Sequence, residues 1–501
     1  MNIVMFILLI NLSHGMCIKT NRLLNRTTIV HLFEWKWLDV AEECERFLAP
    51  KGFGAVQISP PSENLIIKTQ NGLRPWYERY QVMSYNLETR SGNQDDFLDM
   101  TKRCNKVGVR IYADVVINHM TGSHKSNKGT GGSTADFDKY SYPSVPYTAE
   151  NFHSSCIINN YYNATEVRNC QLLGLKDLNQ TEEYVRQNIA NYINNLIKLG
   201  VAGLRIDAAK HMWPSDLREI YTRLDDLNPE FGFPPNTRPY IYQEVIYYGS
   251  EPIRPEEYTP LGDVTEFRVG NELKNVFRGI NSMKWLVNWG EKWGLSPAKT
   301  ALVFIDNHDT QRSSNMLTYK EARAYKAAIA FMLAHPYGRP RIMSSYFFTN
   351  NEMGPPSDDS ENILSPIIHE DDTCGNGWVC EHRWRQIYQM IGFRNAVLNT
   401  SIKNWWNNDN KQIAFGRDGK GFIVFNGDEV ELNVTLQTGL PPGEYCDVIS
   451  GSRVESHCTG NKIYVNNDGR AHFYKSQYAE DMHIAIHVGK ESREHHRKRD
   501  K

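Results

Sequence analysis

Charged side chains follow four β-rich runs of the sequence, at the point where each run ends. The clusters are Asp114 with Asn118 and His119, Arg205 and Asp207 with Lys210 and His211, Glu244, and Asn307-His308-Asp309. If the runs are parallel strands of one barrel, these clusters meet at its carboxyl face. Three carboxylates in one cleft, Asp207, Glu244 and Asp309, would supply a nucleophile, a proton donor and a group that holds the substrate. That set favours hydrolysis of a glycosidic bond.

Aromatic residues beyond the second run support a sugar ligand. Trp76, Tyr77 and Tyr80 could stack on pyranose rings, although they could equally pack in a core or on the surface. A single carboxylate after a strand is often a helix N-cap or an ion-pair partner. Four clusters at equivalent places make that explanation a poor one for the whole set.

Eight β-rich runs predict a closed barrel that positions these clusters. They are residues 27–33, 53–60, 109–116, 203–208, 240–245, 263–268, 300–308 and 341–348, and amphipathic helices alternate with them. Helical spacing is clearest at 181–200 and 214–227, the first with Asn179 and Glu182 as a capping box and Gly200 as a C-cap. Strand–helix repetition of this kind predicts an α/β fold, a (β/α)8 TIM barrel.

Two stretches interrupt the barrel pattern. After the third run, a Gly-, Ser-, Asn- and Tyr-rich segment is too long for a plain loop and predicts an inserted excursion domain. Near the C-terminus the helices stop, and alternating runs with Gly, Pro and Asn turns predict an all-β, Greek-key-like domain. We expect the barrel at 18–117 and 181–410, the inserted domain at 118–180, the C-terminal domain at 411–490 and a charged tail at 491–501.

The composition is that of an ordinary folded protein. The chain has 501 residues, 40% of them hydrophobic, and 56 Lys and Arg against 58 Asp and Glu leave a formal charge of −2. This balance argues against wholesale disorder and against a basic surface for nucleic acid. No apolar run reaches the roughly 18 residues of a membrane span. We expect a monomer with no nucleic-acid or membrane partner.

The N-terminus and the cysteines indicate a secreted, extracellular protein. Residues 1–17 combine an apolar stretch with small residues, as a signal peptide does, although a basic n-region is missing. The sequons at Asn25, Asn163, Asn179, Asn399 and Asn433 would accept glycans in a secreted protein. Eight of the nine cysteines are predicted to form Cys44–Cys104, Cys156–Cys170, Cys374–Cys380 and Cys446–Cys458 in an oxidising compartment. Cys17 is left over, in the expected cleavage region.

Four ordered motifs resemble the signature regions of the α-amylase family, most closely the chloride-dependent animal type. They are DVVINH at 114–119, GLRIDAAKH at 203–211, YQEV at 242–245 and FIDNHD at 304–309. The likeness extends over nearly the whole chain, from HLFEW at 31–35 to AED at 479–481. It implies retaining endo-hydrolysis of α-1,4-glucan bonds, with starch, glycogen and maltooligosaccharides as substrates.

Matched residue by residue, the resemblance implies a role for each candidate. Asp207 would be the nucleophile that forms a glycosyl-enzyme, Glu244 the acid/base, and Asp309 the group that holds sugar hydroxyls and helps to distort the ring. The substrate site would further include Trp76, Tyr77, Tyr80, His119, Arg205, Lys210, His211 and His308.

The resemblance also implies two ions. Calcium would be bound by Asn118, Arg168, Asp177 and His211, the arginine and the histidine through backbone carbonyls, since oxygen donors suit a hard cation. Chloride would be bound by Arg205, Asn307 and Arg341. Two guanidiniums beside Glu244 favour its ionised form, whereas a general acid must carry a proton, so an anion between them would offset their field.

The sequence departs from the family pattern in three places. The run SSNMLT at 313–318 replaces a longer glycine-rich loop, Tyr77 replaces the second tryptophan of the usual pair, and one disulfide of the vertebrate relatives has no cysteines here. These departures leave loop gating and subsite preference open.

Two other interpretations use the same barrel. An α-glucosidase or transglycosylase would cut or transfer terminal glucose, but Lys210-His211 and the chloride residues favour the amylase. A catalytically dead carbohydrate-binding protein is disfavoured because all three carboxylates are present.

Overall fold

The structure is a computed structural model that describes residues 20–313, 315–454 and 457–489. The predicted signal peptide at 1–17, Cys17 and the tail at 491–501 lie outside these ranges. Within them, no helix combines the length and the hydropathy that a bilayer crossing requires.

Eight parallel strands close into a barrel in chain order, and the last strand pairs with the first. They are β1 Ile29–Leu32, β2 Ala55–Ile58, β3 Arg110–Val115, β4 Gly203–Ile206, β5 Tyr240–Gln243, β6 Asp263–Glu266, β7 Ala301–Val303 and β8 Arg339–Ser344. The predicted TIM barrel is therefore confirmed, with β8 beginning at Arg339 rather than at 341. Nearly every strand residue is buried, because side chains fill the inside and helices cover the outside.

Helices alternate with these strands. The described residues form α1 Trp37–Glu43, α2 Ala49–Lys51, α3 Gln94–Lys106, α4 Ala164–Asn169, α5 Glu183–Lys198, α6 Pro214–Thr222, α7 Phe267–Phe277, α8 Ala322–Ala334 and α9 Arg385–Ala396. Gly200 follows α5 at a φ of 94°, as predicted for its end. The predicted capping box is wrong, because the Asn179 side chain accepts hydrogen bonds from Thr181 and Glu182 makes no capping bond. Helix α6 also ends at Thr222 rather than at 227.

The long segment between β3 and α5 contains α4 and a set of isolated β-bridges instead of a sheet. The disulfide Cys156–Cys170 closes one of its loops. Glu63, which follows β2, ties the segment to the barrel by accepting hydrogen bonds from the backbone of Gly131 at 2.8 Å and Ser133 at 2.9 Å. The other three predicted disulfides are present as well.

Ten strands form the described residues of the C-terminal part of the chain. One antiparallel sheet contains β9 Ile402–Asn407, β10 Gln412–Arg417, β11 Gly421–Asn426 and β18 His483–His487; the other contains β12 Leu432–Gln437, β13 Gly443–Cys446, β16 Lys462–Val465 and β17 Arg470–Lys475. A short ribbon of β14 Arg453–Val454 and β15 His457–Cys458 stands apart. In the second sheet β12 lies beside β17, so the first strand returns next to the last, as in a Greek key. The predicted all-β domain is confirmed.

Strands β10 and β11 are buried on both faces. Ile413, Phe415 and Phe425 belong to the large core that includes the barrel, whereas Ala414 and Phe422 pack in a second core with the other sheet. Since successive side chains of a strand point to opposite faces, one strand pair contributes to both cores.

The packing of α7 can be tested at Gly270. A Cβ atom there would lie 2.1 Å from the carbonyl oxygen of Ile305, so Gly270→Ala must displace backbone and should lower the free energy of unfolding by about 1–3 kcal/mol. Gly392 in α9 is a matched control, because its Cβ would meet nothing within 4 Å, and Gly392→Ala should stabilise by about 0.5–1 kcal/mol. Denaturant unfolding measures both. Equal stabilisation by the two substitutions would contradict the close packing at Gly270.

Candidate active site

A cavity of about 660 Å³ opens at the carboxyl ends of the barrel strands. The structure brings together most of the sequence-predicted site residues as its lining: Asp207, Glu244, Asp309, Trp76, Tyr77, Tyr80, His119, Lys210, His211 and His308. Arg205 does not line the cavity. It is 1% exposed and lies beneath the carboxylates.

One buried guanidinium holds the floor of the cavity together. Arg205 Nη1 donates to Asp114 Oδ1 at 2.5 Å and to Asp207 Oδ1 at 2.8 Å, and Nη2 donates to Glu244. The Ala208 backbone N–H donates to the other oxygen of Glu244 at 2.9 Å. Because these carboxylates share one planar cation, their relative positions are fixed.

Burial and mutual repulsion favour the protonated forms in the acidic cluster. Burial raises the pKa of Asp207; the Arg205 guanidinium opposes this rise, and the carboxylates of Glu244 and Asp114 add to it. Burial, reinforced by Glu244, raises the pKa of Asp309 to about 7. Burial also raises the pKa of Asp114. Since these groups interact closely, the proton belongs to the cluster rather than to one residue.

The histidines of the cavity are neutral. Burial lowers the pKa of both His119 and His211 to about 4, and burial together with Arg205 lowers the pKa of His308. The His308 ring stacks on Tyr80 with 5.1 Å between centroids. Neutral imidazoles on this wall can hydrogen-bond to hydroxyl groups without adding charge.

Trp76 is held by Arg312, a residue that the sequence motifs did not single out. Trp76 Nε1 donates to the carbonyl oxygen of Asn351 at 3.0 Å, and Arg312 Nε donates to the same oxygen at 2.9 Å. The guanidinium carbon lies 4.9 Å from the Trp76 ring centroid and 4.5 Å from that of Phe348. Arg312 also donates to the His308 carbonyl at 3.2 Å, so it links the aromatic wall to the loop that carries Asp309.

Other lining residues also lie outside the sequence motifs. They are Gln81, Tyr161, Leu172, Leu173, Leu175, Ile246, Tyr248 and Glu251. Several belong to the inserted segment, whose lack of periodicity left no signal for them. Lys210 reaches the turn after β5, where its Nζ donates to the Ile246 carbonyl at 2.7 Å and lies 3.7 Å from Glu251.

The residues predicted for calcium come from three segments that lie side by side. His119 and Asp177 form a β-bridge, which places Asn118 next to the end of the inserted segment. His211 Nδ1 lies 3.0 Å from the carbonyl oxygen of Val167, the residue before Arg168.

The donor chemistry of these residues suits a hard cation. Asn118 Oδ1 is buried and has no hydrogen-bond partner. The Arg168 side chain is used elsewhere, in a 2.7 Å ion pair with Glu257, which leaves its carbonyl oxygen as the atom for a metal. In the described ranges, no three or more His, Cys, Asp and Glu side chains cluster as a metal site. A site here would therefore combine the Asp177 carboxylate with amide and carbonyl oxygens, which are donors that calcium accepts.

The residues predicted for chloride include an unpaired buried donor. Arg341 Nη1 donates to Gln57 at 2.7 Å, whereas Arg341 Nη2 is buried without a partner. Asn307 Oδ1 accepts hydrogen bonds from the backbone N–H groups of Asp309 at 3.1 Å and Thr310 at 2.7 Å, so its oxygen is turned to its own loop. An unpaired guanidinium nitrogen in the barrel interior suits an anion.

A parallel barrel with three carboxylates and aromatic rings at its carboxyl face has the architecture of a barrel glycoside hydrolase. Sequence profiles agree with this class. The profile "Alpha amylase, catalytic domain" matches residues 59–241, and "Alpha amylase, C-terminal all-beta domain" matches residues 403–489.

Individual relatives extend the likeness over most of the chain. An "Alpha-amylase" of Tribolium castaneum is 57% identical over 466 residues, 93% of this chain and 94% of the relative. An "Alpha-amylase-related protein" of Drosophila bocqueti is 53% identical over the same shares. A mutant of α-amylase I from Eisenia fetida, solved with maltohexaose, matches with a TM-score of 0.89 and 44% identity over 93% of this chain and 97% of that one. This chain belongs to the α-amylase family.

The role of Arg312 can be tested through Trp76. Arg312→Met removes the donor to the His308 carbonyl and one of the two donors to the Asn351 carbonyl, which should cost about 1–3 kcal/mol of stability and expose the Trp76 ring. Quenching of tryptophan fluorescence by acrylamide should therefore increase. If the increase comes from Trp76, Arg312→Met should cause none when Trp76 is already replaced by Phe. Arg312→Lys is the control, because it keeps the charge but cannot bridge the same groups. Unchanged quenching in Arg312→Met would show that Trp76 is held by other contacts.

Proposed function

We propose that this protein is a secreted, endo-acting α-amylase that hydrolyses internal α-1,4-glucosidic bonds of starch and glycogen with retention of configuration. The convergence of Asp207, Glu244 and Asp309 on one aromatic-lined cavity carries the proposal. The names of the insect relatives and the maltohexaose bound to the Eisenia fetida enzyme support a glucan substrate.

The proposed reaction proceeds in two displacements. Asp207 attacks the anomeric carbon while Glu244 gives its proton to the glycosidic oxygen, so that the glycosidic bond breaks and a glycosyl ester forms. Glu244 then takes a proton from a water molecule, which attacks the anomeric carbon and releases Asp207. Both carboxyl groups bond to Arg205, which favours the short separation of retaining enzymes, about 5–5.5 Å, over the roughly 6.5–9.5 Å of inverting ones.

The remaining residues position the glucan. Asp309 would hold hydroxyl groups of the ring that reacts, while Trp76, Tyr77 and Tyr80 would stack against neighbouring rings. Lys210 would donate a hydrogen bond to a hydroxyl group, and His211 would accept one at Nε2, because its Nδ1 faces the Val167 carbonyl. His119 and His308 would line the same subsites. Arg205 would act from below, by orienting the nucleophile and the acid.

Secretion rests on two observations. The four disulfides form where the surroundings are oxidising, and residues 1–17 have the pattern of a signal peptide. We further propose that the protein is a monomer, and that the barrel, the inserted domain and the C-terminal domain have the boundaries given above.

Substitution of the two reacting carboxyl groups tests the mechanism. Asp207→Asn should abolish turnover with an unchanged melting temperature, because an amide does not attack the anomeric carbon. Glu244→Gln should lose most activity on substrates with poor leaving groups and least on activated glucosides. Activity near wild type in Asp207→Asn would contradict its role as nucleophile. Equal losses on both substrate types in Glu244→Gln would contradict its role as general acid.

The first products from starch test the mode of cleavage. Internal cleavage should release maltooligosaccharides before any glucose accumulates, whereas an α-glucosidase releases glucose from the start. Chromatography of early time points separates the two. Glucose as the first product would contradict endo-action.

Calcium, held by Asn118, Asp177 and the carbonyl oxygens of Arg168 and His211, would join the inserted segment to the barrel. Because the ion binds the folded protein, its removal by a chelator should lower the apparent melting temperature by roughly 5 °C. Added Ca²⁺ should restore the original value and Mg²⁺ should not, since Mg²⁺ demands a tighter octahedral site. A melting temperature that prolonged dialysis against chelator leaves unmoved would contradict the site.

Chloride, held by Arg205, Asn307 and Arg341, would offset the field of the two guanidiniums at the proton donor Glu244. Activity of dialysed enzyme should rise several-fold with chloride, and the pH optimum should shift upward. Arg341→Gln should lose this dependence. Arg339→Gln, on the same strand but paired with Asp263 at 2.9 Å, should keep it. Identical pH profiles of the wild type with and without chloride would refute the anion site.

A further inference from the structure

A second cavity lies at the end of the barrel opposite the carboxylates, where α8 and α9 end beside strand β10. Its volume is about 190 Å³. Its lining is Pro336, Arg394, Leu398, Asn399, Thr400 and Arg417. None of these residues belongs to the active site or to the predicted ion sites.

Two buried guanidiniums face this cavity. Arg394 is 7% and Arg417 is 3% exposed. Both donate to backbone carbonyls, Arg394 to Leu333 at 3.2 Å, His335 at 3.1 Å and Gly338 at 3.0 Å, and Arg417 to Ala334, Val397 at 3.2 Å and Thr400 at 2.9 Å. Arg417 Nε is buried and has no partner.

The charge of the two arginines is not balanced by acidic groups. Among the described residues, neither guanidinium has a carboxylate within ion-pair distance, and Asp418 acts on Arg417 only from the exposed surface. The carbonyls at the ends of α8 and α9 contribute about half a negative charge per helix, which leaves roughly one positive charge uncompensated. Buried charges in proteins are normally paired.

Titration behaviour agrees with this imbalance. Burial, together with the positive charges of Arg417 and Arg22, lowers the pKa of Arg394 to about 9. Burial lowers the pKa of Arg417 to about 10. Because arginine does not give up its proton in proteins, a bound anion would relieve the part of this cost that the carbonyl oxygens leave.

We propose that this cavity binds a small oxyanion of the sulfate or phosphate class, between Arg417 and Arg394. The free Arg417 Nε donor and a second guanidinium on the same cavity suit the several acceptor oxygens of such an ion. Arg394 belongs to α9 and Arg417 to β10, so the anion would tie the barrel to the C-terminal sheet. This site is separate from the chloride site proposed around Arg341.

Sulfate titration of thermal unfolding tests the site without reference to activity. The deglycosylated protein, with calcium and chloride held constant, is melted at increasing sodium sulfate; sulfate is chosen because phosphate would compete for calcium. A specific site predicts a saturable rise of about 2–5 °C in apparent melting temperature. General exclusion of sulfate from the surface instead gives a rise that is linear in concentration.

Variants and crystallography decide between specific sulfate binding and general exclusion of sulfate from the surface. Arg417→Met should remove the saturable part, and Arg417→Lys, which keeps the charge but lacks Nε, should weaken the apparent affinity at least tenfold. Arg323→Met is the matched control, because Arg323 also bonds to carbonyls of the C-terminal segment, at 2.9 Å, but lies off the cavity. Selenate soaked into crystals should give an anomalous peak between Arg394 and Arg417. A linear rise equal in all variants, or a selenate-soaked crystal without that peak, would overturn the proposal.

Discussion

The ion pairs of Arg205 are the constraint on which the active site depends. Asp114, Arg205 and Tyr242 lie in register on β3, β4 and β5, so the closed barrel alone places this arginine between Asp114 and the strand that leads to Glu244. A buried cation of this kind is costly to leave unpaired, and so are the carboxylates around it. The barrel therefore fixes the floor of the cavity, and each of these charges depends on the others for its place.

The walls of the active-site cavity are held differently from its floor. They come from long connections rather than from strands, and each connection is tied down by polar contacts of its own. The Glu63 carboxylate holds the inserted segment by accepting hydrogen bonds from the backbone of that segment, and Arg312 holds the aromatic wall to the loop of Asp309. A floor held by ion pairs and walls that are anchored separately let the shape of the cleft vary without disturbing the carboxylates of the floor.

The sequence predicted what depends on local pattern. Eight buried β-rich runs and the polar residues after them were sufficient for the barrel and for the cluster around Asp207, because strand period and strand direction follow from residue order. Arg312 and Leu173 could not be found in this way, since their place is set by distant loops. The capping box failed because Asn179 bonds locally to Thr181. The ion ligands followed only from family resemblance, as carbonyl oxygens leave no mark in a sequence.

The strand pair that serves two cores has a consequence for biosynthesis. Ala485 on β18, the last strand of the described chain, packs in the same core as the barrel, and β18 pairs with β11. The barrel cannot complete its core until that strand has been synthesised, so its final folding step must wait for the C-terminal domain. Until then apolar side chains of the barrel core lack part of their cover, and exposed apolar surface of this kind favours aggregation.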